Sequence, residues 1–448
     1  MRIVRGAEEG RRTLLRRQQL GETELPVAIR TKNAAIFGAD LPVEQQVRRI
    51  IADVAAEGDA AVRRYTRAFS GAEPRSLEVP SDEIVAAYTA VDARLVAALK
   101  EAAARIQAYH ERQREHSSRS FVGDDGVGMQ VRAVERVGMY VPTSPGAVYP
   151  SSVLMTAIPA RVAGVRELVM VTPSGADGCV APLKLVAAHI AGVDRVFAAG
   201  GAEAIAALAH GTETIPRVDK IVGPGNVFVT VAKREVFGAV GIDALYGPSE
   251  TIVIADDSAD PMLAAADLLA QAEHDELATP ILLTTSTEVA EAVGREVERQ
   301  LTLLDRETVA RTSFDTRGGA VVVASIAEAV QLANEYAPEH LCLLVRDAPE
   351  VAMTVHNAGG IFVGDDAPES LGDYSAGPSH VMPTAGAARY ASPLGVHDFL
   401  KVTSVVAVDA STLRATGPAA ATIARAEGFT AHARSIELRL DGGERGAK

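Results

Sequence analysis

Cysteine, tryptophan and long apolar runs are what this sequence lacks. It has two cysteines, Cys179 and Cys342, and no tryptophan among 448 residues. The two thiols lie far apart beside apolar runs, and neither has flanking residues of the kind that lower a thiol pKa. Both read as buried, reduced side chains and not as nucleophiles. Apolar runs are broken by Gly, Pro or charge well short of the ~20 residues that a membrane span needs. Residues 1–9 contain no apolar signal core. A cytoplasmic protein with no membrane partner is expected. Positive charge is also in deficit: 44 Lys and Arg face 58 Asp and Glu, a net charge of −14. That balance argues against nucleic acid held through phosphate contacts. Aromatics make up 4% and apolar residues 48%, so Ala and Val supply most of the core volume, as is ordinary for an α/β protein.

The length allows two or three domains. Residues 1–27 are rich in Arg, with Arg11, Arg12, Arg16 and Arg17 spaced to line a helix. This predicts a helical arm, either packed on the body or a second subunit, or merely solvated. An amphipathic helix is expected from about Leu41 to Phe69. Another is expected from about Ser81 to His116, with His110 and His116 in its polar tail. From Arg136 short strands alternate with helices. Strands are expected at Val137–Tyr140, Glu167–Thr172, Arg195–Ala199 and Lys220–Val222. The rhythm then repeats after Gly247, at Thr251–Ile254, Pro280–Thr284, Ala320–Val323, Leu341–Val345 and Ile361–Val363. Alternation of this kind predicts βαβ units, hence an α/β fold of two doubly wound parallel-sheet halves. Residues 372–393 are dense in Gly, Pro, Ser and Thr and predict a long structured loop. The chain then returns to helix, with a strand-like alternation at Ser435–Leu440.

Three groupings could carry chemistry. Asp260 and Pro261 start a well-formed helix near whose end Gln271 and His274 stand three residues apart, on one face. They either hold part of a metal site, with Asp373 and His432 as candidates for the rest, or His274 is simply a histidine favoured by the helix dipole. Glu339 and His340 sit in Tyr-Ala-Pro-Glu-His-Leu, where Pro338 pushes Ala337 out of helix. They are either a carboxylate and an imidazole of unlike pKa for proton transfer, or a charged cap beside a solvated histidine. Finally, Ala-Ala-Gly-Gly-Ala-Glu (198–203) and Gly-Pro-Gly-Asn (223–226) each follow a strand and open a helix. Their backbone amides could meet a phosphate, and the two loops are expected on neighbouring strands at one carboxyl edge.

Taken together, Tyr-Pro-Ser-Ser-Val-Leu-Met (149–155), Asp-Lys-Ile-Val-Gly-Pro-Gly-Asn (219–226), Gly-Pro-Ser-Glu (247–250), Gln-Ala-Glu-His (271–274), Tyr-Ala-Pro-Glu-His-Leu (336–341) and Gly-Asp-Tyr-Ser-Ala-Gly-Pro-Ser-His (372–380) resemble the histidinol dehydrogenase family. The resemblance runs through most of the chain. It implies two Rossmann-like domains with small helical terminal segments, in an intertwined homodimer. Residues 28–136 and 250–393 would form the first α/β domain, residues 137–249 the nucleotide-side domain, and residues 394–448 a dimerisation segment. It also implies one zinc ion per subunit held by Gln271, His274, Asp373 and His432, the last from the other subunit. Ser249, His340, His380 and Glu427 would line the L-histidinol pocket together with the zinc ligands. Tyr140, Glu203 and Asn226 would border NAD, and Glu339 and His340 would be the acid–base pair of a four-electron oxidation. His340 would act as a neutral imidazole near its ordinary pKa of ~6.5. The sequence departs from the family's usual pattern at Thr143–Val148, at Glu203 in place of glutamine, and at Leu245–Tyr246. Those departures keep open a relative that oxidises a different polar alcohol.

Overall fold

The structure is a computed structural model that describes residues 1–17, 27–144 and 146–442. The chain divides into two compact units, one of residues 1–115 and 134–399, the other of residues 116–133 and 400–448. Among the described residues no helix is long and apolar enough to cross a membrane.

The first unit contains two parallel sheets. One has six strands, in the order Ile3–Arg5, Gly319–Val322, Thr279–Thr284, Glu250–Ala255, His340–Leu344 and Gly360–Val363. The other has five, in the order Gly241–Ile242, Lys220–Val222, Arg136–Tyr140, Glu167–Thr172 and Arg195–Ala198. The central strands are covered on both faces, as parallel sheets require. In the strand Glu250–Ala255, Ile252 and Ile254 pack on one side with Leu332, Ala333 and Tyr336. Val253 and Ala255 pack on the other with Leu268, Leu282 and Phe314, the alternation that a pleated strand imposes. One face of the five-stranded sheet packs against helices Val43–Glu57, Asp59–Ser70 and Gly201–His210 through Ile50, Val54, Val62, Val171 and Ile205. The helices at 43–70 thus belong with residues 137–249, although the sequence grouped them with 250–393.

Several local expectations are corrected. The helix expected over Leu41–Phe69 breaks at Gly58, whose φ of +56° is one that glycine tolerates. The helix expected over Ser81–His116 is interrupted after Ala90 and restarts at Ala93, with Asp92 Oδ1 accepting the Arg94 N–H at 2.7 Å. His110 is buried in that second helix, not part of a polar tail. In the N-terminal arm, Ile3–Arg5 is an edge strand beside Gly319–Val322, and only Ala7–Arg12 is helical. The rest of the expected arm, at 18–26, lies outside the described residues. Cys342 is buried as expected, whereas Cys179 is only half-buried.

The second unit is built on an antiparallel sheet, Leu400–Val406 with Val127–Ala133 and Phe121–Val122. Helices Ala410–Ala426 and Thr430–Gly442 follow. Ser435–Leu440, read as a strand, lies in the last helix. Its Ile436 and Leu440 are four residues apart and therefore share a face, which packs at Gly417, where a Cβ would meet Ile436 Cγ2 at 3.2 Å.

Candidate active site

The polar cluster forms at the amino-terminal edge of the six-stranded sheet. Thr251 is in register with His340, so Glu250 and Glu339 stand at the start of adjacent strands. The helix Ile326–Tyr336 ends at Ala337, which adopts φ +52° as the left-handed cap, and Pro338 leads directly to Glu339. Proline thus does here what the sequence indicated. Glu339 Oε2 accepts the Glu250 N–H at 3.1 Å and stands 3.8 Å from His340 Nδ1. His340 Nε2 stands 3.4 Å from Asp373 Oδ1, and the imidazole stacks on Phe362 at 5.7 Å. His380 donates from Nδ1 to the Asp373 carbonyl at 2.7 Å, and its Nε2 is 3.3 Å from Ser152 Oγ.

Burial dominates the electrostatics here. It pushes Glu339 up to about 8, although His340 and the Glu250 N–H pull the other way. For His340, burial disfavours the charged ring, but Asp373, Glu339 and Glu369 outweigh it and push the pKa up to about 10. The expectation of an imidazole at its ordinary value is therefore corrected: the neighbouring carboxylates, Asp373 first, favour its charged form. Behind it, Glu369 is fully buried, accepts the Thr251 hydroxyl at 2.8 Å, and is pushed by burial up to about 8. Sequence reasoning missed Glu369. Its signal was spacing, since Glu369 and Asp373 are four apart on one short helix, Glu369–Tyr374.

Gln271 is 1% exposed inside the helix Pro261–Ala272, and neither atom of its amide has a hydrogen-bond partner. His274 lies beyond the helix end and not on its face, its N–H donating to the Gln271 carbonyl at 3.0 Å. His274 is open to solvent, yet the surrounding protein still disfavours its charged form, while Asp373 acts in the opposite direction. Among the described residues no three His, Cys, Asp or Glu side chains already form a metal-binding group. The donors nevertheless suit a divalent cation. An unpaired buried amide is costly without a partner, and it sits at the negative end of a helix dipole beside an imidazole whose field reaches Asp373. Ser249 precedes the strand and its carbonyl accepts the Thr279 N–H at 2.9 Å. Glu427 and His432 are exposed residues of the second unit.

The nucleotide-side candidates occupy the carboxyl edge of the five-stranded sheet. The two glycine turns are not on neighbouring strands, because Arg136–Tyr140 and Glu167–Thr172 lie between theirs. The strand order reverses between Arg136–Tyr140 and Lys220–Val222, which opens a crevice between the loops that follow them. Tyr140 links both turns: its hydroxyl accepts the Gly201 N–H at 3.2 Å, and its carbonyl lies where a Cβ on Gly223 (φ +107°) would come within 2.3 Å. Asn226 caps the next helix, its Oδ1 accepting the N–H groups of Phe228 and Val229 at 3.1 and 3.2 Å. Glu203 is buried and pushed up to about 8 by desolvation, so at neutral pH it carries no charge into the crevice. Lys184, also missed, is buried beneath the loop and donates to the Pro142 carbonyl, Thr143 Oγ1 and Thr172 Oγ1 at 2.5, 2.7 and 2.7 Å.

An α/β enzyme with a buried carboxylate–imidazole pair on one sheet and glycine turns at the carboxyl edge of the other is the class that this geometry defines. A family model described as histidinol dehydrogenase matches residues 38–440. The histidinol dehydrogenase of Deinococcus radiodurans is 49% identical over 444 residues, covering 98% of this chain and 100% of the relative. That of Geobacter sulfurreducens is 52% identical over 402 residues, covering 89% and 93%. The crystal structure of histidinol dehydrogenase from Elizabethkingia anophelis superposes with a TM-score of 0.89 at 33% identity, covering 99% of each chain. The chain belongs to the histidinol dehydrogenase family.

Proposed function

We propose that the chain oxidises L-histidinol to L-histidine through L-histidinaldehyde, reducing two NAD, as a cytoplasmic homodimer that binds zinc. The observation that carries this reading is the Glu339–His340 pair, two buried proton-transfer groups side by side in a chain about half identical to named histidinol dehydrogenases over most of its length. That degree of identity leaves oxidation of a different alcohol disfavoured.

His340 Nε2, the nitrogen that faces Asp373, takes the hydroxyl proton as hydride leaves the carbinol carbon. Nδ1 faces Glu339 at 3.8 Å, an ion-pair distance and not a hydrogen bond. Once the first proton has passed to solvent, the Glu339 carboxylate, a base whose burial raises its pKa to about 8, takes a proton from the water that adds to the aldehyde. The hydrate then gives its hydroxyl proton to His340 and its hydride to the second NAD. Gln271, His274 and Asp373, with His432 supplied by the other subunit of the homodimer, would hold the metal. A zinc ion held there would orient the substrate's amine and imidazole and would offset the Asp373 charge that favours a proton on His340. Ser249 and His380 complete this chain's side of the substrate pocket, and Tyr140, Glu203 and Asn226 border NAD. The zinc-loaded protein supplied with L-histidinol and NAD should form NADH and histidine. Absence of both products would refute the reading.

A further inference from the structure

The sequence left the arginines of the N-terminal arm between packing and solvation. Arg17 is packed. Nε and Nη2 fork onto the two carboxylate oxygens of Glu250 at 2.7 Å each. Nη1 donates to the Tyr336 carbonyl, and Nη2 also donates to the Ala337 carbonyl at 3.1 Å. The guanidinium lies 3.8 Å over the Tyr336 ring, whose hydroxyl donates to Glu250 Oε1 at 3.3 Å.

These partners flank the proton-transfer pair on both sides. Tyr336 and Ala337 form the end of a helix, where carbonyls lack partners within the helix, and Ala337 holds a left-handed φ of +52° that an alanine adopts only under constraint. Charged N–H donors on both carbonyls supply that constraint. Glu339 comes two residues later. Glu250, at the other end of the fork, gives its backbone N–H to Glu339 Oε2 at 3.1 Å. One side chain from residue 17 thus grips the turn that carries Glu339 and His340 and also the strand residue that fixes the Glu339 carboxylate.

We infer that Arg17 is a positioning residue for the Glu339–His340 pair: it holds the Tyr336–Glu339 turn in its strained form and aims Glu339 through Glu250. This rests on the reading of that pair as the proton-transfer groups. A lysine at position 17 keeps the charge but cannot make the fork.

The test compares wild type, Arg17→Ala and Arg17→Lys as full-length, zinc-loaded proteins, with rates normalised to folded protein by circular dichroism. Displacement of catalytic groups by a fraction of an ångström to 1 Å predicts a kcat loss of about 10- to 100-fold in Arg17→Ala, with KM for L-histidinol changed less than about threefold. Guanidinium at millimolar concentration should restore part of the lost kcat in Arg17→Ala and leave wild type unchanged, which lost stability alone would not produce. If Arg17→Ala does not fold, Arg17→Lys carries the test on the same kcat-against-KM split. Wild-type kcat in the folded variants, or a loss that guanidinium leaves untouched in folded Arg17→Ala, overturns the inference. A wild-type protein without histidinol turnover overturns the proposed function and the inference with it, whereas an active wild type beside equally active variants overturns the inference alone.

Discussion

Glu203→Gln should stabilise the protein by an amount that grows with pH. Glu203 is 2% exposed, lies in the first turn of the helix Gly201–His210, and has an Oε2 with no hydrogen-bond partner. A helix N-terminus favours an anion, yet burial prevails and moves the carboxyl from 4.5 to about 8. The folded protein therefore keeps a proton that the unfolded chain releases between those values. The contribution of Glu203 to stability is intact below the unfolded pKa and is lost as pH rises toward the folded one. Each unit in that window costs about 1.4 kcal/mol, which gives ceilings near 3 kcal/mol at pH 7 and about 5 kcal/mol above pH 8. Glutamine fills nearly the same volume and does not titrate. Urea denaturation of both apo proteins from pH 5 to pH 9 tests this. The curves should lie close at pH 5 and separate steadily in favour of the variant up to about pH 8. A gap that stays constant with pH, or a variant that falls below wild type at high pH, would refute the burial argument.

Three further outcomes are expected. His340→Asn should slow NADH formation in a single turnover from L-histidinol by roughly 10²–10⁴-fold, the range for a lost general base, and a full rate would remove His340 from that role. His432→Ala should lower the zinc bound per protomer, measured by atomic absorption after dialysis; unchanged stoichiometry would mean that His432 is not a ligand. Asp243→Ala should destabilise the protein by about 3–5 kcal/mol in denaturant titration, because it strands the buried ammonium of Lys233. A loss below about 1 kcal/mol would show that water or a neighbour replaces the carboxylate.

The sheets were readable from sequence because their strands are short β-branched runs bounded by turn residues. Glu167–Thr172 and Lys220–Val222 match the expected limits, and Thr251–Ile254 is extended by only one residue at each end. What failed depended on longer range. Ile3–Arg5 is too short to announce itself and becomes a strand only because Gly319–Val322 offers an edge. Ser435–Leu440 carries both a two-residue and a four-residue spacing, and packing at Gly417 selects the helix. Within the site, Ala337 and Pro338 made the Glu339–His340 turn legible, and the helix end marked Gln271. No local signal joined these to Asp373 or His380, which the fold brings from the short helix Glu369–Tyr374 and the loop after it. Nor could local pattern assign protonation, since Glu203 is raised by burial and His340, against burial, chiefly by Asp373, which lies 33 residues away.

The central claim, a four-electron oxidation by one site, is tested most directly by stoichiometry. Purified zinc-loaded protein is given limiting L-histidinol and excess NAD, and NADH and histidine are both counted at completion. Two NADH should form for each histidine, with no aldehyde accumulating. One NADH for each substrate consumed with aldehyde released, or no NADH at all, would contradict it.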